Sequence, residues 1–283
     1  MKISIITIVY NNRRCIADCI ESVLGQTYTN IEHIVIDGGS TDGTQQIIEQ
    51  YSDRLACYVS EKDGGLYDAL NKGIRHATGD IIGVLHSDDL FFAEDTLAKI
   101  AAEFERTNPD LLYANGKYVD RKDIEKVKRI YRAKPFRMRY LKFGWIPLHT
   151  TIFVKKNIFE KYGDYDINFS IASDYEISLR WFLNNDIKKI FLDEYVVKMR
   201  LGGKSTSVGL QKAKSAQDLQ ILKKYNFPTY FTLFGKITRK IPQYYPYIYV
   251  KLINNVVKLD NKESGKSGFR NNKAVNKRIG TKK

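Results

Sequence analysis

Two adjacent acids, Asp88 and Asp89, close an apolar run that begins at Gly79 and passes through His86 and Ser87. Neighbouring carboxylates repel each other unless something cationic lies between them. An oxygen-only cluster of this kind suits hard Mg2+ or Mn2+, which keep coordination positions open for phosphate oxygens. A lone acid pair usually caps a helix, but here the run before it is strand-like, which puts the pair at a sheet rim. Asp37 ends a second apolar run, IEHIVID, and GGSTDGT follows it. Asp174 falls in the first turn of ASDYEISLRWFLNN, where the helix dipole favours a carboxylate, and Glu176 stands two residues on. His149 precedes the strand-like TTIFVKK, a place where a single imidazole is more often packed than used. In GGKSTS, Lys204 and the backbone N–H groups could hold an anion, and a plain turn fits as well.

The elements that must position these groups alternate. ISIITIVY (3–10) is a buried strand rich in β-branched residues. A helix follows at about 13–25, with Ile16, Cys19, Ile20, Val23 and Leu24 on one stripe. Then come a strand at 31–37, a helix at about 43–51 capped by Ser40 or Thr41, a strand at 56–61 and a glycine-led helix within 62–77. The strand ending at the acid pair, a helix at 96–107 capped near Asp95, and a strand at 110–120 continue the alternation. KKIFLDEYVVKMRL (188–201) reads as a strand pair or one long strand. Repeated strand–helix units imply an α/β fold with a mostly parallel sheet flanked by helices. Ligands of such sheets bind beyond the carboxyl ends of the strands, so Asp37 and the Asp88–Asp89 pair share a rim. The first turn, VYNNRRC, has no glycine and GGSTDGT has the wrong spacing for a dinucleotide fingerprint, which disfavours hydride transfer.

SIITIVYNN, CIESVLGQTYTNIEHIVIDGGSTDGT and EKDGGLYDALNKGIRHATGDIIGVLHSDD together resemble the family 2 glycosyltransferases of the GT-A fold. PLHTTIF and ASDYEI extend the similarity, which is greatest to bacterial enzymes that build capsule, O-antigen or exopolysaccharide units. The resemblance implies a nucleotide-sugar donor, UDP-linked, a Mn2+ or Mg2+ ion, and displacement with inversion at the anomeric carbon. It places Asp37 on the base, Tyr10 beside the uracil and Asp68 near the nucleoside. It gives Asp88 the metal and diphosphate, with Asp89 beside it, and makes Asp174 the general base with Glu176 second. The family often has two acids after the second strand, whereas this chain has Asp37 and then Gly38. His86 stands where the D-x-D motif has its first acid. It joins His149 and Lys204 as possible acceptor or phosphate contacts.

The 283 residues carry a formal net charge of +14, which calls for an anionic partner. From Tyr225 onward 13 Lys and Arg face two acids, Asp260 and Glu263, so most of the excess sits in the last fifth. Phe227, Tyr230, Phe231, Leu233, Phe234, Ile237 and Ile241 fall near one helical stripe, which suits an anionic membrane interface or packing on the catalytic domain. Residues 1–215 are expected to form the catalytic domain, with a nucleotide-binding half to about 110 and an acceptor half after it. Residues 216–260 are expected to form an amphipathic helical extension and 261–283 a disordered basic tail. Cys15, Cys19 and Cys57 suit free thiols, and no apolar run is long enough to span a bilayer. These features suit a cytoplasmic protein, peripheral on the inner face of the plasma membrane, and the resemblance adds a glycan acceptor carried on a polyprenyl diphosphate. Nucleic acid is disfavoured for want of a recognised motif. The rival functions are a metal-dependent nucleotidyltransferase and a non-catalytic basic module for membrane or RNA.

Overall fold

Seven residues, Ile3–Val9, form β1, and all seven are buried. A strand covered on both faces shows no polar side to water, so ISIITIV lacks the alternation of a half-exposed strand. The computed structural model describes residues 1–202 and 208–244. After β1 come α1 (Ile16–Leu24), β2 (Ile31–Asp37), α2 (Thr44–Glu49), β3 (Cys57–Ser60), α3 (Leu66–His76) and β4 (Ile81–Val84). Next are β5 (Asp89–Phe91), α4 (Thr96–Thr107), β6 (Leu111–Val119), β7 (Val127–Tyr131), α5 (Met138–Lys142), β8 (Ile152–Lys155) and α6 (Lys156–Tyr162). The order closes with α7 (Ser173–Leu183), β9 (Lys189–Arg200), α8 (Val208–Lys224) and α9 (Thr229–Thr238).

The strands join in the order β3-β2-β1-β4-β8-β6-β9-β5, with β7 on the side of β6. β1, β2, β3 and β4 are mutually parallel, β8 runs against β4 and β6, and β9 is parallel to β6. β1, β2, β3, β4, β6 and β9 therefore share one direction, so the α/β sheet is mostly parallel. Their carboxyl ends lie on one rim, and so does the amino end of the reversed β8. Side chains alternate across β1. Ile3 and Ile5 pack with Cys19, Leu97, Ile100 and Phe104 on the α1 and α4 side. Ile6 and Ile8 pack with Leu70, Ile74, Ile177 and Trp181 on the α3 and α7 side.

Several local expectations change. Residues 188–201 give one strand, β9, because both its edges are used, by β6 and by β5. Neither Ser40 nor Thr41 caps α2: Gly43, in the left-handed region at φ 96°, holds that position. Asp42 instead accepts the Thr44 N–H at 3.1 Å. Asp95 does precede α4, but its carboxylate pairs with Lys99 at 3.1 Å rather than capping. The boundary expected at 215 falls inside α8, which runs unbroken through it. Lys204 and everything after Tyr244, including the expected tail, lie outside the described residues.

Candidate active site

Chain direction brings the chemistry together. Tyr10 follows β1, Asp37 ends β2, His86–Asp88 follow β4, Arg121 follows β6 and Arg200 ends β9, all on the common rim. His149 sits in a short 3-10 turn just before the reversed β8, and Asp174 stands at the start of α7. The Asn11–Asn12 turn ties the rim loops to one another. Asn11 N–H donates to Ser40 Oγ at 2.8 Å, and Asn12 Nδ2 donates to Ser87 Oγ at 3.0 Å.

The acid pair divides. Asp88 keeps an accessible carboxylate beside Arg121, whose Nη1 lies 3.4 Å away. Asp89 is buried, and its Oδ1 accepts the backbone N–H of Arg200 at 3.2 Å. Burial first, and then the charge of Asp88, push the Asp89 carboxyl well above its ordinary range. The expectation of two metal-facing acids is thus corrected: Asp89 is the first residue of β5 and turns inward to join β9. Among the described residues no group of three or more His, Cys, Asp and Glu could hold a metal ion. One outward carboxylate does fit a cation that arrives with a diphosphate, because Mg2+-like ions are commonly held by one or two carboxylates plus substrate phosphates. Arg200 supports this corner. It donates to the Asp88 carbonyl at 3.1 Å and to Asp18 Oδ2 at 2.5 Å.

Asp174 is the centre of a second cluster. Tyr67 OH donates to Oδ1 at 3.0 Å, His149 Nδ1 lies 3.5 Å from Oδ2, and Lys214 Nζ lies 3.9 Å away. Burial by itself would raise this carboxyl. Lys214, then His149 and Lys236, and the Tyr67 hydroxyl hold it below the usual carboxylate range. Burial pushes the His149 imidazole down to about 4, against the pull of Asp174. His86 is lowered for the same reason. The two neutral rings meet Nε2 to Nε2 at 2.7 Å. Facing a carboxylate, His149 Nδ1 carries the hydrogen, so its Nε2 accepts and His86 Nε2 donates. His86 therefore links the motif after β4 to Asp174 through one imidazole.

Glu176, the second candidate base, is committed elsewhere. It is 1% exposed and accepts from Arg180 at 2.5 Å, Tyr225 at 2.7 Å and Lys224 at 2.8 Å. It fastens α7 to the end of α8 and has no face left for an acceptor.

Asp37 is corrected as well. It is 0% exposed; Ser40 N–H donates to Oδ2 at 3.0 Å, Ser60 Oγ donates to the same oxygen at 2.6 Å, and Ser40 Oγ donates to Oδ1. With both oxygens occupied, Asp37 shapes the glycine loop. The carboxylate at this point of the rim belongs to Asp63. It lies against Gly38, where a Cβ would overlap Oδ2 and meet Cγ at 3.1 Å. The Gly65 N–H donates to Asp63 Oδ1 at 2.9 Å. Asp68 receives the Gly64 N–H at 2.9 Å and pairs with Lys72 at 3.5 Å, so it orders the same loop. Tyr10 is half exposed at the rim. Sequence reasoning missed Asp63, Tyr67, Lys214 and Arg200. The missing second acid at Gly38 was the one available signal, since a vacant place for a side chain invites another to fill it.

A mostly parallel α/β sheet with acids and a linked imidazole pair gathered beyond its strand ends places a candidate ligand site on that rim. Residues 4–163 match the family model described as glycosyl transferase family 2, and the chain belongs to that family. It is 36% identical over 181 residues to an uncharacterized glycosyltransferase of Mycobacterium tuberculosis, covering 63% of this chain and 68% of that one. The fold resembles that of S. aureus TarS 1-349, with TM-score 0.59 and 20% identity over 79% of this chain; the chain spans 65% of that structure's length. TarS 1-349 has also been solved in complex with UDP-GlcNAc. The mannosyltransferase PcManGT of Pyrobaculum calidifontis, solved with GDP-Man and Mn2+, aligns with TM-score 0.56 and 18% identity, covering 83% of this chain and 68% of that one. Membership of a glycosyltransferase family sets aside the nucleotidyltransferase and the non-catalytic module. No helix among the described residues is long and apolar enough to cross a membrane.

Proposed function

We propose that the protein is an inverting glycosyltransferase that moves a sugar from a UDP-linked donor to a lipid-linked glycan in cell-surface polysaccharide synthesis. The observation that carries this reading is Asp174, set beside Tyr67 and Lys214 and linked through His149 and His86 to the loop that bears Asp88. An acceptor hydroxyl lying against Asp174 gives up its proton to that carboxylate as its oxygen attacks the anomeric carbon. The bond from that carbon to the β-phosphate oxygen breaks, and UDP leaves with the electron pair. Attack opposite the leaving group inverts the configuration. Tyr67, His149 and Lys214 aim the carboxylate and keep it ionised. A divalent cation, Mn2+ or Mg2+, bound with the donor would be held by Asp88 and would neutralise the departing diphosphate. Tyr10 flanks the base, and Asp63 takes the base contact expected of Asp37.

The test is UDP release and glycan formation across a panel of UDP-sugars, with Mn2+ and a polyprenyl-diphosphate-linked acceptor. We expect Asp174→Asn to lower turnover by about 10²–10⁴-fold, the usual worth of a positioned base, while UDP binding persists. No UDP release from any donor would overturn the assignment.

A further inference from the structure

The helix α9 is packed inside out. Thr232 and Lys236 are its buried residues, 0% and 7% exposed, whereas Phe231, Phe234 and Ile237 are 53%, 65% and 55% exposed. Spacings of four and three put Tyr230, Phe234 and Ile237 on one outward stripe of α9, and Ile241, just beyond the helix, is also exposed. On the inward side Lys236 Nζ lies 2.7 Å from Asp218 of α8 and 3.3 Å from the ring centroid of Tyr175. The arrangement is locked by close backbone approach to the turn after α5. A Cβ on Gly235 would meet the Phe143 carbonyl at 2.6 Å, and one on Gly144 would meet Lys236 N at 2.6 Å. Thr232 Oγ1 donates to the Lys142 carbonyl at 2.9 Å, and Arg239 Nε to the Gly144 carbonyl at 2.8 Å. Phe143 packs beside Phe231, ring centroids 5.3 Å apart with planes tilted by 60°, and extends the exposed apolar face.

The charge around this face has one sign. Neither 126–159, which contains α5, nor 219–244, which contains α9, holds an Asp or Glu, while they hold 10 and 5 Lys and Arg. Arg137, Arg139 and Lys142 are exposed at its edge. An apolar stripe rimmed by cations alone matches an anionic lipid surface, in which the rings enter the acyl boundary and the cations meet headgroup phosphates. It does not match a second copy of the same face, which would bring cation against cation. We infer that the α5–α9 face docks the protein on an anionic bilayer. Its inner side touches Tyr175, the neighbour of Asp174, so docking would hold the candidate base within one helix of the membrane surface. This inference stands on the face itself and is independent of the transfer reaction.

The experiment is vesicle co-sedimentation of the full chain without donor, comparing phosphatidylglycerol-rich with phosphatidylcholine-only vesicles. We expect binding to the anionic vesicles, weakened by high salt. Phe234→Ser with Ile237→Ser should reduce partition by at least roughly tenfold, the least expected on withdrawing one large apolar side chain from an interface. Arg139→Glu with Lys142→Glu should weaken anionic binding and leave the apolar stripe intact. Basal UDP release and the melting curve should be unchanged in both, since these side chains face outward. Unchanged binding by the Phe234/Ile237 variant would overturn the inference by assigning attachment to the basic residues after Tyr244. Absence of binding by the wild type, with a lowered melting point in that variant, would overturn it in favour of cover by this chain's own C-terminal segment. A concentration-dependent dimer abolished by the same variant, without vesicle binding, would overturn it in favour of self-association.

Discussion

Asp63 and Gly38 are separated by 25 positions and act as one unit: the glycine has no side chain because the carboxylate of Asp63 occupies that space. Gly38→Ala should displace Asp63, and Asp63→Ala should remove the carboxylate while sparing the backbone. Both should raise the Kd for UDP by about tenfold, the loss of one hydrogen bond to a charged group. Isothermal titration with UDP checks this, and Asp37→Asn supplies the contrast. Because Asp37 is buried and holds Ser40 and Ser60, its loss should lower the melting temperature as well as weaken binding. Equal stability of Asp37→Asn and wild type would contradict the shaping role.

At the scale of elements, α9 is fixed to α8 by the buried Lys236–Asp218 pair. Burial first, against the pull of Asp218, lowers the Lys236 ammonium to about 8. Breaking one side of such a pair leaves a charge without a partner and typically costs ~3–5 kcal/mol, whereas replacing both partners with apolar groups is often neutral. Asp218→Ala should therefore lower the melting temperature sharply, and Lys236→Met with Asp218→Leu should recover most of the loss. Thermal denaturation followed by circular dichroism reads both. Similar melting of the single and the double variant would show that the pair does not anchor α9.

For the molecule as a whole, β2 builds in acid sensitivity. His33 is 2% exposed, its Nε2 lies 2.9 Å from Thr7 Oγ1, and its Nδ1 has no partner. Burial alone pushes its imidazole down to about 3. The unfolded chain takes up that proton near its ordinary value of about 6.5. The stabilisation is thus complete above pH 6.5 and is lost as pH falls from 6.5 through about 3. By pH 5 the loss should be about 2 kcal/mol. Urea titrations at pH 7 and pH 5 test this: His33→Gln should remove that part of the pH dependence, and an unchanged slope would refute it. Neighbouring Glu32, held to about 2 by Lys2, Ser4 and Thr78 against the opposing effect of burial, acts in a lower window.

The sequence by itself determined the alternation of apolar strands and striped helices, because burial on two faces or one leaves its period in the chain. It also determined the placing of Asp88, which stands at a strand end that the topology rule assigns to the rim, whereas Asp174 was singled out only by the resemblance. The short strands β5 and β7 left no such trace; three residues carry no period, and VKRIY mixes cations among its apolar positions. Lys214 was illegible because α8, with the sequence VGLQKAKSAQDLQILKK, has no clean apolar stripe. Only the tertiary structure could decide which carboxylates stay accessible. Asp37, Asp89 and Glu176 look as available in sequence as Asp88 and Asp174. Partners distant in the chain, Ser60, Arg200, and Lys224 with Tyr225, engage the first three, which are all buried. Asp88 and Asp174 stay accessible, and the Asp63 carboxylate lies at the rim against Gly38. Burial and saturation of a polar group depend on neighbours the chain brings from afar, and no local spacing encodes them.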